Sequence, residues 1–211
     1  QPGECVCLCG PSGSGKTTAT KVVNGLIPSF EIGIDLAGHV EVCGMEPRSC
    51  EMYELAGSVG SVFQNPKSQF YHLTSDDELT FGLENKGADV DYIEQRRDTV
   101  VRDMGIERLL GRDTTKMSGG EKQALVFASV AVSDPDVYVL DEPTANLDAA
   151  AIRTLHDQMA HVLSRGKSIV IAEHRLAFMS DLIDRALLLQ DGRIVRTMSG
   201  HELKELMETE R

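Results

Sequence analysis

The sequence predicts an α/β fold with a mostly parallel sheet. Short apolar runs at 5–9, 137–140 and 168–172 have the composition of strands that are buried on both faces. Segments with helical periodicity separate these runs, and this alternation is typical of a parallel sheet covered by helices. The dipeptide Asp191–Gly192 lies between two further strand patterns, 186–190 and 193–197, and predicts an antiparallel hairpin.

Composition limits the classes of function. A chain of 211 residues with 41% hydrophobic content suits one domain with a buried core. The net charge of −12 disfavours nucleic acid and anionic lipid as partners. No apolar run approaches the roughly 20 residues of a membrane-spanning helix and no signal-peptide pattern is visible, so we expect a cytoplasmic location. Cys5, Cys7 and Cys9 alternate along one strand face, and we expect them to be reduced and buried.

The first functional motif follows the first predicted strand. Residues 10–17 fit the pattern GxxxxGK[ST] and precede a helix predicted to extend to residue 26. Glycines in this loop let backbone N–H groups turn inward around a phosphate, while Lys16 reaches its β and γ oxygens and the Thr17 hydroxyl ligates Mg²⁺. The alternative is a glycine-rich turn that binds nothing. The predicted phosphate-binding residues are Gly10, Pro11, Ser12, Gly13, Ser14, Gly15, Lys16, Thr17 and Thr18.

Polar residues follow other strands of the predicted sheet. A strand over 58–63 ends before Gln64, the strand over 137–140 ends before Asp141 and Glu142, and His174 follows the strand over 168–172. Open α/β sheets bind ligands at this carboxyl edge. We expect Asp141 to face Mg²⁺ beside Thr17, and Glu142 to face a water in line with a γ-phosphate. A solvated acidic loop and an ordinary loop histidine are the alternatives.

Two further regions complete the organisation. Residues 38–45 alternate like an antiparallel strand. Residues 66–130 lack a strand pattern, with one helix predicted after a capping box at 74–78 and another over 91–110, broken at Gly105. We expect a helical subdomain over about 66–130, attached to a core formed by about 1–65 and 131–211.

A glycine pair marks the start of another predicted helix. Ser118 and Glu121 fit a capping box, which by itself could explain both residues, but a helix end needs only one of the two glycines between them. Gly119 and Gly120 expose backbone N–H groups at this helix start, an arrangement suited to a second phosphate. Asp148 is predicted to cap a later helix that ends at Gly166.

Taken in order, these motifs resemble the nucleotide-binding domain of ATP-binding cassette (ABC) ATPases over essentially the whole chain, 1–211. The resemblance implies a P-loop NTPase core with a mostly parallel sheet, antiparallel β strands and a helical signature subdomain. Residues 10–17 match the Walker A motif, Gln64 the Q-loop, 137–142 the Walker B motif and His174 the switch histidine. The signature matches at Ser118, Gly119, Gly120 and Glu121, and the D-loop matches at Ala145, Asn146, Leu147 and Asp148.

The resemblance also implies an activity and an assembly. Members of this family hydrolyse ATP with Mg²⁺, and two domains pair head to tail, as a homodimer or a heterodimer. Each ATP then lies between the Walker A motif of one domain and the signature of the other. The implied catalytic residues are Glu142, His174 and Lys16, and the implied Mg²⁺ ligands are Thr17, Gln64 and Asp141.

Within this family, residues 63–66, 69–70, 81–85 and 173–176 are similar to ATPase subunits of energy-coupling factor importers, which take up vitamins and metal ions. This similarity implies a transmembrane transporter subunit as partner and a peripheral location at the cytoplasmic face of the membrane. It gives Gln69 and Phe70 a coupling role, with ordinary packing as the alternative.

The rival hypothesis is an ABC ATPase of the repair or translation factor type, in which ATP-driven dimerisation is itself the output. A separation of about 100 residues between Lys16 and Ser118 leaves no room for the long coiled coil of the repair type. The acidic charge also disfavours nucleic acid.

Four positions depart from the family pattern: Met117 replaces the usual Leu, Glu121 the usual Gln, Ala124 a frequent Arg and Ala149 a frequent Pro. The Glu121 exchange removes an amide that could donate to the partner's nucleotide. The aromatic residue that stacks on adenine in this family precedes the Walker A strand. Since only a few residues precede that strand here, we expect an N-terminally truncated fragment whose adenine-binding residues lie outside it.

Overall fold

The strands form one sheet whose carboxyl edge carries the polar motifs. The computed structural model describes residues 1–31, 33–34 and 36–209. Within these residues, six strands lie in the order β2-β3-β4-β1-β5-β6, all parallel to their neighbours except β6, which is antiparallel to β5. The strands are β1 (Cys5–Cys9), β2 (Val59–Val62), β3 (Val137–Asp141), β4 (Ser168–Ala172), β5 (Arg185–Gln190) and β6 (Arg193–Ser199). The predicted mostly parallel sheet with an antiparallel hairpin is confirmed.

Helices cover the sheet and account for most of the segment between β2 and β3. Short 3-10 turns lie at Pro66–Ser68, Glu107–Leu109, Thr114–Lys116 and Leu176–Phe178. The α-helices are α1 (Lys16–Val23), α2 (Leu26–Ser29), α3 (Met52–Ser58), α4 (Ser75–Asn85), α5 (Val90–Asp103), α6 (Gly119–Val132), α7 (Ala149–Ser164) and α8 (Gly200–Thr209). None of the helices within the described ranges is both long and apolar enough to cross a bilayer.

Strand register brings separate segments to one edge. Asp141 at the end of β3 lies opposite Ala172 at the end of β4, and Ala172 lies opposite Leu8 of β1. On the other side of β3, Val62 at the end of β2 pairs with Leu140. The residues that follow β1, β2, β3 and β4 therefore emerge at the same edge of the sheet.

The sheet is anchored by α6, which is apolar along almost its whole length. Its Leu125 and Phe127 are fully buried, and the Phe127 ring stacks on Tyr138 of β3 with 5.5 Å between ring centroids. The same helix packs against α4 and α5, and also against α7 and β2. We propose that residues of about 66–130 form a helical subdomain, as the sequence predicts, and that α6 joins this subdomain to the sheet.

Two predicted elements differ in the structure. The antiparallel strand predicted over 38–45 is wrong: only a single bridge, Val42 to Met45, forms there. The positive φ angles of Gly38 (98°) and Cys43 (52°) interrupt the extended backbone that alternation alone suggested. The helix predicted to extend to residue 26 ends at Val23, because Gly25 adopts a left-handed φ of 75°.

The cysteines of β1 are buried free thiols, as predicted. Cys5 and Cys7 are fully buried, and Cys9 is nearly so. Burial raises the pKa of the Cys5 thiol to about 12, with the carboxylates of Asp184 and Glu4 adding to the effect. This thiol therefore acts as a small apolar side chain at neutral pH.

We predict that Gly60→Ala destabilises the fold by about 1–3 kcal/mol, because overpacking strains a filled contact. A Cβ at this position of β2 would lie 2.3 Å from Val130 Cγ1 and 2.8 Å from Pro135 Cγ. Gly57→Ala is the matched control, since Gly57 lies in α3 with no heavy atom within 4 Å of its Cβ position. The control should be neutral or stabilising by up to about 1 kcal/mol. Urea unfolding measures both, and equal stabilities for the two variants would contradict the close contact.

Candidate functional site

The loop between β1 and α1 is supported by the β5–β6 hairpin. Gly10 has a φ of 141°, and a Cβ there would lie 2.1 Å from the Leu189 carbonyl oxygen. At the hairpin turn, the Gly192 N–H donates to the Ser14 carbonyl at 3.1 Å. Leu189 and Gly192 were not predicted as neighbours of the loop, since no local pattern reports a contact between segments so far apart in sequence.

Lys16 lies beneath this loop rather than on the surface. It is only 4% exposed, and its Nζ donates to the carbonyl oxygens of Gly10 and Pro11, both at 3.0 Å. An ammonium group has three donors, so a third remains for a ligand.

The loop also contains a buried polar atom without a partner. Ser14 Oγ is buried and has no hydrogen-bond partner among the residues that the structure describes. It lies two residues before the first residue of α1, whose N-terminal N–H groups favour anions. A phosphate group fits this loop because it would satisfy donors that are otherwise unpaired. Of the remaining predicted phosphate-binding residues, Pro11, Ser12, Gly13, Thr17 and Thr18 are exposed and Gly15 is half-buried.

Thr17 and Asp141 meet at the edge of the sheet. The Thr17 hydroxyl donates to Asp141 Oδ1 at 3.1 Å. Burial raises the pKa of the Asp141 carboxyl, and the charge of the adjacent Glu142 raises it further, whereas the Thr17 hydrogen bond lowers it. One hydroxyl and one carboxylate are hard oxygen donors of the kind that Mg²⁺ takes from a protein when phosphates supply other ligands, so the pair fits this ion.

Glu142 is held between two side chains. His174 Nε2 lies 2.9 Å from its Oε1, and Gln64 Nε2 donates to its Oε2 at 3.0 Å. Glu142 has a φ of 44°, a left-handed conformation that costs energy for a residue with a side chain and persists only where neighbours hold it. Gln64, predicted as a metal ligand, is thus brought to Glu142, and its role as a ligand stays a prediction.

Gln69 forms an internal brace beside the Q-loop. Its Nε2 donates to the Ser61 carbonyl at 2.6 Å, and its Oε1 accepts from the Phe63 N–H at 3.0 Å. Both the N–H₂ group and the carbonyl oxygen of Gln69 are therefore hydrogen-bonded to the backbone that precedes Gln64. For Gln69 these contacts favour the packing alternative over direct contact with a partner, and Phe70 is likewise packed against the main core.

The D-loop residues form a turn between Glu142 and α7. The Ala145 N–H donates to the Glu142 carbonyl at 3.1 Å, and Asn146 has a positive φ of 62°. The Leu147 side chain is buried. Asp148 caps α7 by accepting from the Ala151 N–H at 2.8 Å, which confirms the predicted cap.

Thr144 was missed by the sequence analysis, and Glu173 was named there only as part of the segment 173–176. Glu173 is buried with 2% exposure, and its Oε2 accepts from the Thr144 hydroxyl at 2.6 Å. Each residue directly neighbours a predicted motif, yet only the folded chain shows that they touch.

The signature residues form the predicted capping box at the start of α6. Ser118 Oγ accepts from the Glu121 N–H at 3.3 Å, and Glu121 Oε2 accepts from the Ser118 N–H at 2.9 Å. The other carboxylate oxygen of Glu121 pairs with both Arg108 and Arg112. The Ser118 N–H and then Arg112 lower the pKa of Glu121 to about 2.

The two glycines of the signature have different surroundings. A Cβ at Gly120 would lie 2.5 Å from Ala151 Cβ, so the first turn of α7 excludes a side chain there. Nothing lies within 4 Å of a Cβ placed on Gly119. Packing against α7 therefore explains why residue 120 is glycine, whereas no close contact explains why residue 119 is glycine.

The predicted site residues fall into two groups. Lys16, Thr17, Gln64, Asp141, Glu142 and His174 lie at the carboxyl edge of the sheet. Within the described ranges, no hydrogen bond or ion pair joins them to the signature residues at the start of α6.

Comparison with known proteins identifies the family of the chain. A sequence profile described as ABC transporter matches residues 1–145. A putative ABC transporter ATP-binding protein of Treponema denticola is 41% identical over 99% of this chain and 42% of its own length. A protein of the same description from Sulfurisphaera tokodaii is 34% identical over 97% of this chain and 43% of its own length. The chain thus spans less than half the length of these relatives.

A solved structure has the same fold. CbiO1 from Clostridium perfringens, described as part of the ABC transporter complex CbiONQ, superposes with a TM-score of 0.87 and 27% identity, over 99% of this chain and 82% of that one.

The fold and its phosphate loop define a P-loop nucleotide-binding protein. The chain belongs to the ABC transporter family and is an ATPase domain of that family.

We predict that Glu121→Gln lowers the free energy of unfolding at neutral pH by about 1 kcal/mol, the usual size of a capping contribution. A carboxyl whose pKa is lower in the folded state contributes stability that is present above its ordinary value of 4.5 and is lost as pH falls toward about 2. The difference between parent and variant should therefore shrink over this window. Urea unfolding at several pH values measures it, with Glu94→Gln, an exposed exchange in α5, as control. A difference that does not change with pH would contradict this prediction.

Proposed function

We propose that this chain is the ATP-hydrolysing motor domain of an ABC-type membrane importer, of the energy-coupling factor kind that takes up a vitamin or a metal ion. One observation carries the proposed hydrolysis: Glu142 is held by His174 and Gln64, and it directly follows Asp141, which bonds to Thr17 of the phosphate loop. The similarity of residues 63–66, 69–70, 81–85 and 173–176 to such importers, and the solved CbiO1 structure, support import over other roles.

The phosphate loop binds the nucleotide. Lys16 uses its remaining donor on a phosphate oxygen, and the Ser14 hydroxyl and the N–H groups at the start of α1 supply further donors. When bound, Mg²⁺ would be held by Thr17 and Asp141, with Gln64 as a further predicted ligand, and would neutralise charge on the phosphate oxygens.

Glu142 acts on the attacking water. A water oxygen bonds to the γ-phosphorus, the bond from that phosphorus to the β–γ bridging oxygen breaks, and the carboxylate of Glu142 takes the proton. His174 and Gln64 hold the two carboxylate oxygens, which fixes the direction from which the water is activated.

The signature completes the site of a second domain. Gly119, whose Cβ position is open, leaves the backbone N–H groups at the start of α6 accessible to an anion. We propose that two such domains pair head to tail, each signature facing the ATP on the other, in agreement with the separation of the two groups within one chain.

A groove with two exposed apolar side chains suits the transmembrane partner. Tyr71 and Leu73 are 76% and 70% exposed, and they line a groove of about 410 Å³ together with Phe70 and Lys67. Apolar side chains exposed side by side mark interaction surfaces, and a helix of a membrane subunit would bury them. The domain would then lie peripherally at the cytoplasmic face of the membrane.

We predict that Glu142→Gln keeps binding of Mg-ATP and lowers its hydrolysis on the order of 10²-fold or more, because the amide cannot accept the proton of the water. Steady-state phosphate release and calorimetry with a non-hydrolysable analogue measure the two effects. Glu94→Gln is the matched exchange at an exposed position of α5. Hydrolysis at the parent rate in Glu142→Gln would refute the assigned role.

We predict that replacing both Tyr71 and Leu73 with Ser spares basal ATP hydrolysis within about twofold and lowers co-purification with the transmembrane subunit about tenfold or more, since truncating buried anchors costs more than about 1.4 kcal/mol. Ile194→Ser is the control, because Ile194 is 59% exposed on β6, at the opposite edge of the sheet from β2. Equal recovery of the membrane subunit with the double variant would argue for the rival, a switch that acts without one.

A further inference from the structure

Glu173 carries a buried carboxylate that the proposed hydrolysis does not use. Its Oε2 accepts from the Thr144 N–H at 3.3 Å and from the Thr144 hydroxyl at 2.6 Å. Its Oε1 accepts from the His174 N–H at 2.7 Å and from the Arg175 N–H at 3.0 Å. Each oxygen thus receives two donors, a pattern that a carboxylate satisfies and an amide does not, since an amide has one acceptor oxygen.

These four bonds join the two segments that carry the reactive pair. Thr144 lies two residues after Glu142, and its carbonyl accepts from the Leu147 N–H in the D-loop turn. On the other side, His174 approaches Glu142 through its imidazole at 2.9 Å. Together with the backbone that links Glu142 to Thr144, these hydrogen bonds close a ring through Glu173 and His174 back to Glu142.

We propose that Glu173 is a positioning residue that sets the placement of His174 relative to Glu142 and couples the switch loop to the D-loop. This inference rests on the proposed function, because it presumes that Glu142 acts on water with His174 beside it. The left-handed backbone of Glu142 needs external support, and the bonds to Thr144 hold the chain immediately after it. A shift of the switch loop would move the D-loop, and the reverse, because both loops are hydrogen-bonded to the same carboxylate.

Thr144 offers the sharpest variants, since it is 1% exposed and can be changed without changing its shape. Thr144→Val keeps the side-chain volume and removes the hydroxyl donor, whereas Thr144→Ser keeps the hydroxyl. Glu173→Gln keeps the size of the side chain but replaces one acceptor oxygen with an N–H₂ group. Two of the four hydrogen-bond donors would then face another donor instead of an acceptor. All variants are measured in the full chain together with any partner that hydrolysis requires.

We expect Thr144→Val and Glu173→Gln to lower kcat about 10- to 100-fold while changing KM for ATP by less than about threefold, since small misplacements of reacting groups have effects of this size. Thr144→Ser should retain most of the rate. The ¹H–¹³C resonance of the His174 imidazole, assigned with His174→Ala, should shift in Thr144→Val and stay near its parent position in Thr144→Ser.

The Glu142→Gln background separates positioning from general loss of structure. If Glu173 acts through Glu142, adding Thr144→Val to Glu142→Gln should lower the residual rate little further. An equal fold-loss in both backgrounds would overturn the inference and indicate a purely structural role. The inference would also be overturned if Thr144→Val and Glu173→Gln fold and keep kcat within twofold of the parent value, while Glu142→Gln alone is slow. Parental hydrolysis in Glu142→Gln would instead refute the proposed function itself.

Discussion

The register of β3 against β4 is the constraint on which the candidate site depends. Asp141 lies opposite Ala172, so the residues after each strand leave the sheet together. Side chains alternate across a strand, and a slip of one residue would turn Asp141 toward the other face. Leu140 and Ile171 lie opposite each other in this register, and both are fully buried.

Buried polar groups at this edge are satisfied mainly by the backbone. The ammonium group of Lys16 rests on two carbonyl oxygens, and the carboxylate of Glu173 rests on three N–H groups and one hydroxyl. A buried charge is costly unless hydrogen bonds replace its lost water. These bonds offset that cost and hold the loops that carry the reactive groups.

The signature shows how a side-chain exchange changes its surroundings. The family pattern has Gln at the position of Glu121, and loss of the amide removes a possible donor to a nucleotide. In the structure the carboxylate pairs with Arg108 and Arg112, so two guanidinium groups lie beside the start of α6.

Sequence alone determined what local patterns encode. The apolar runs identified β1, β3 and β4, the hairpin dipeptide identified the turn between β5 and β6, and Ser118 and Asp148 identified two helix starts, because these features depend on neighbours within a few residues. The same reasoning failed at 38–45, where alternation suggested a strand but the chain turns at residues with positive φ. A strand needs a partner, and a local pattern does not report one.

Only the tertiary structure decided that Glu173 is hydrogen-bonded to Thr144, that the hairpin supports the loop at Gly10, and that Gln69 is hydrogen-bonded to β2. Each of these contacts joins segments that the pattern treats as independent, and each exists because the sheet register and the packing of α6 bring those segments within hydrogen-bonding or van der Waals distance.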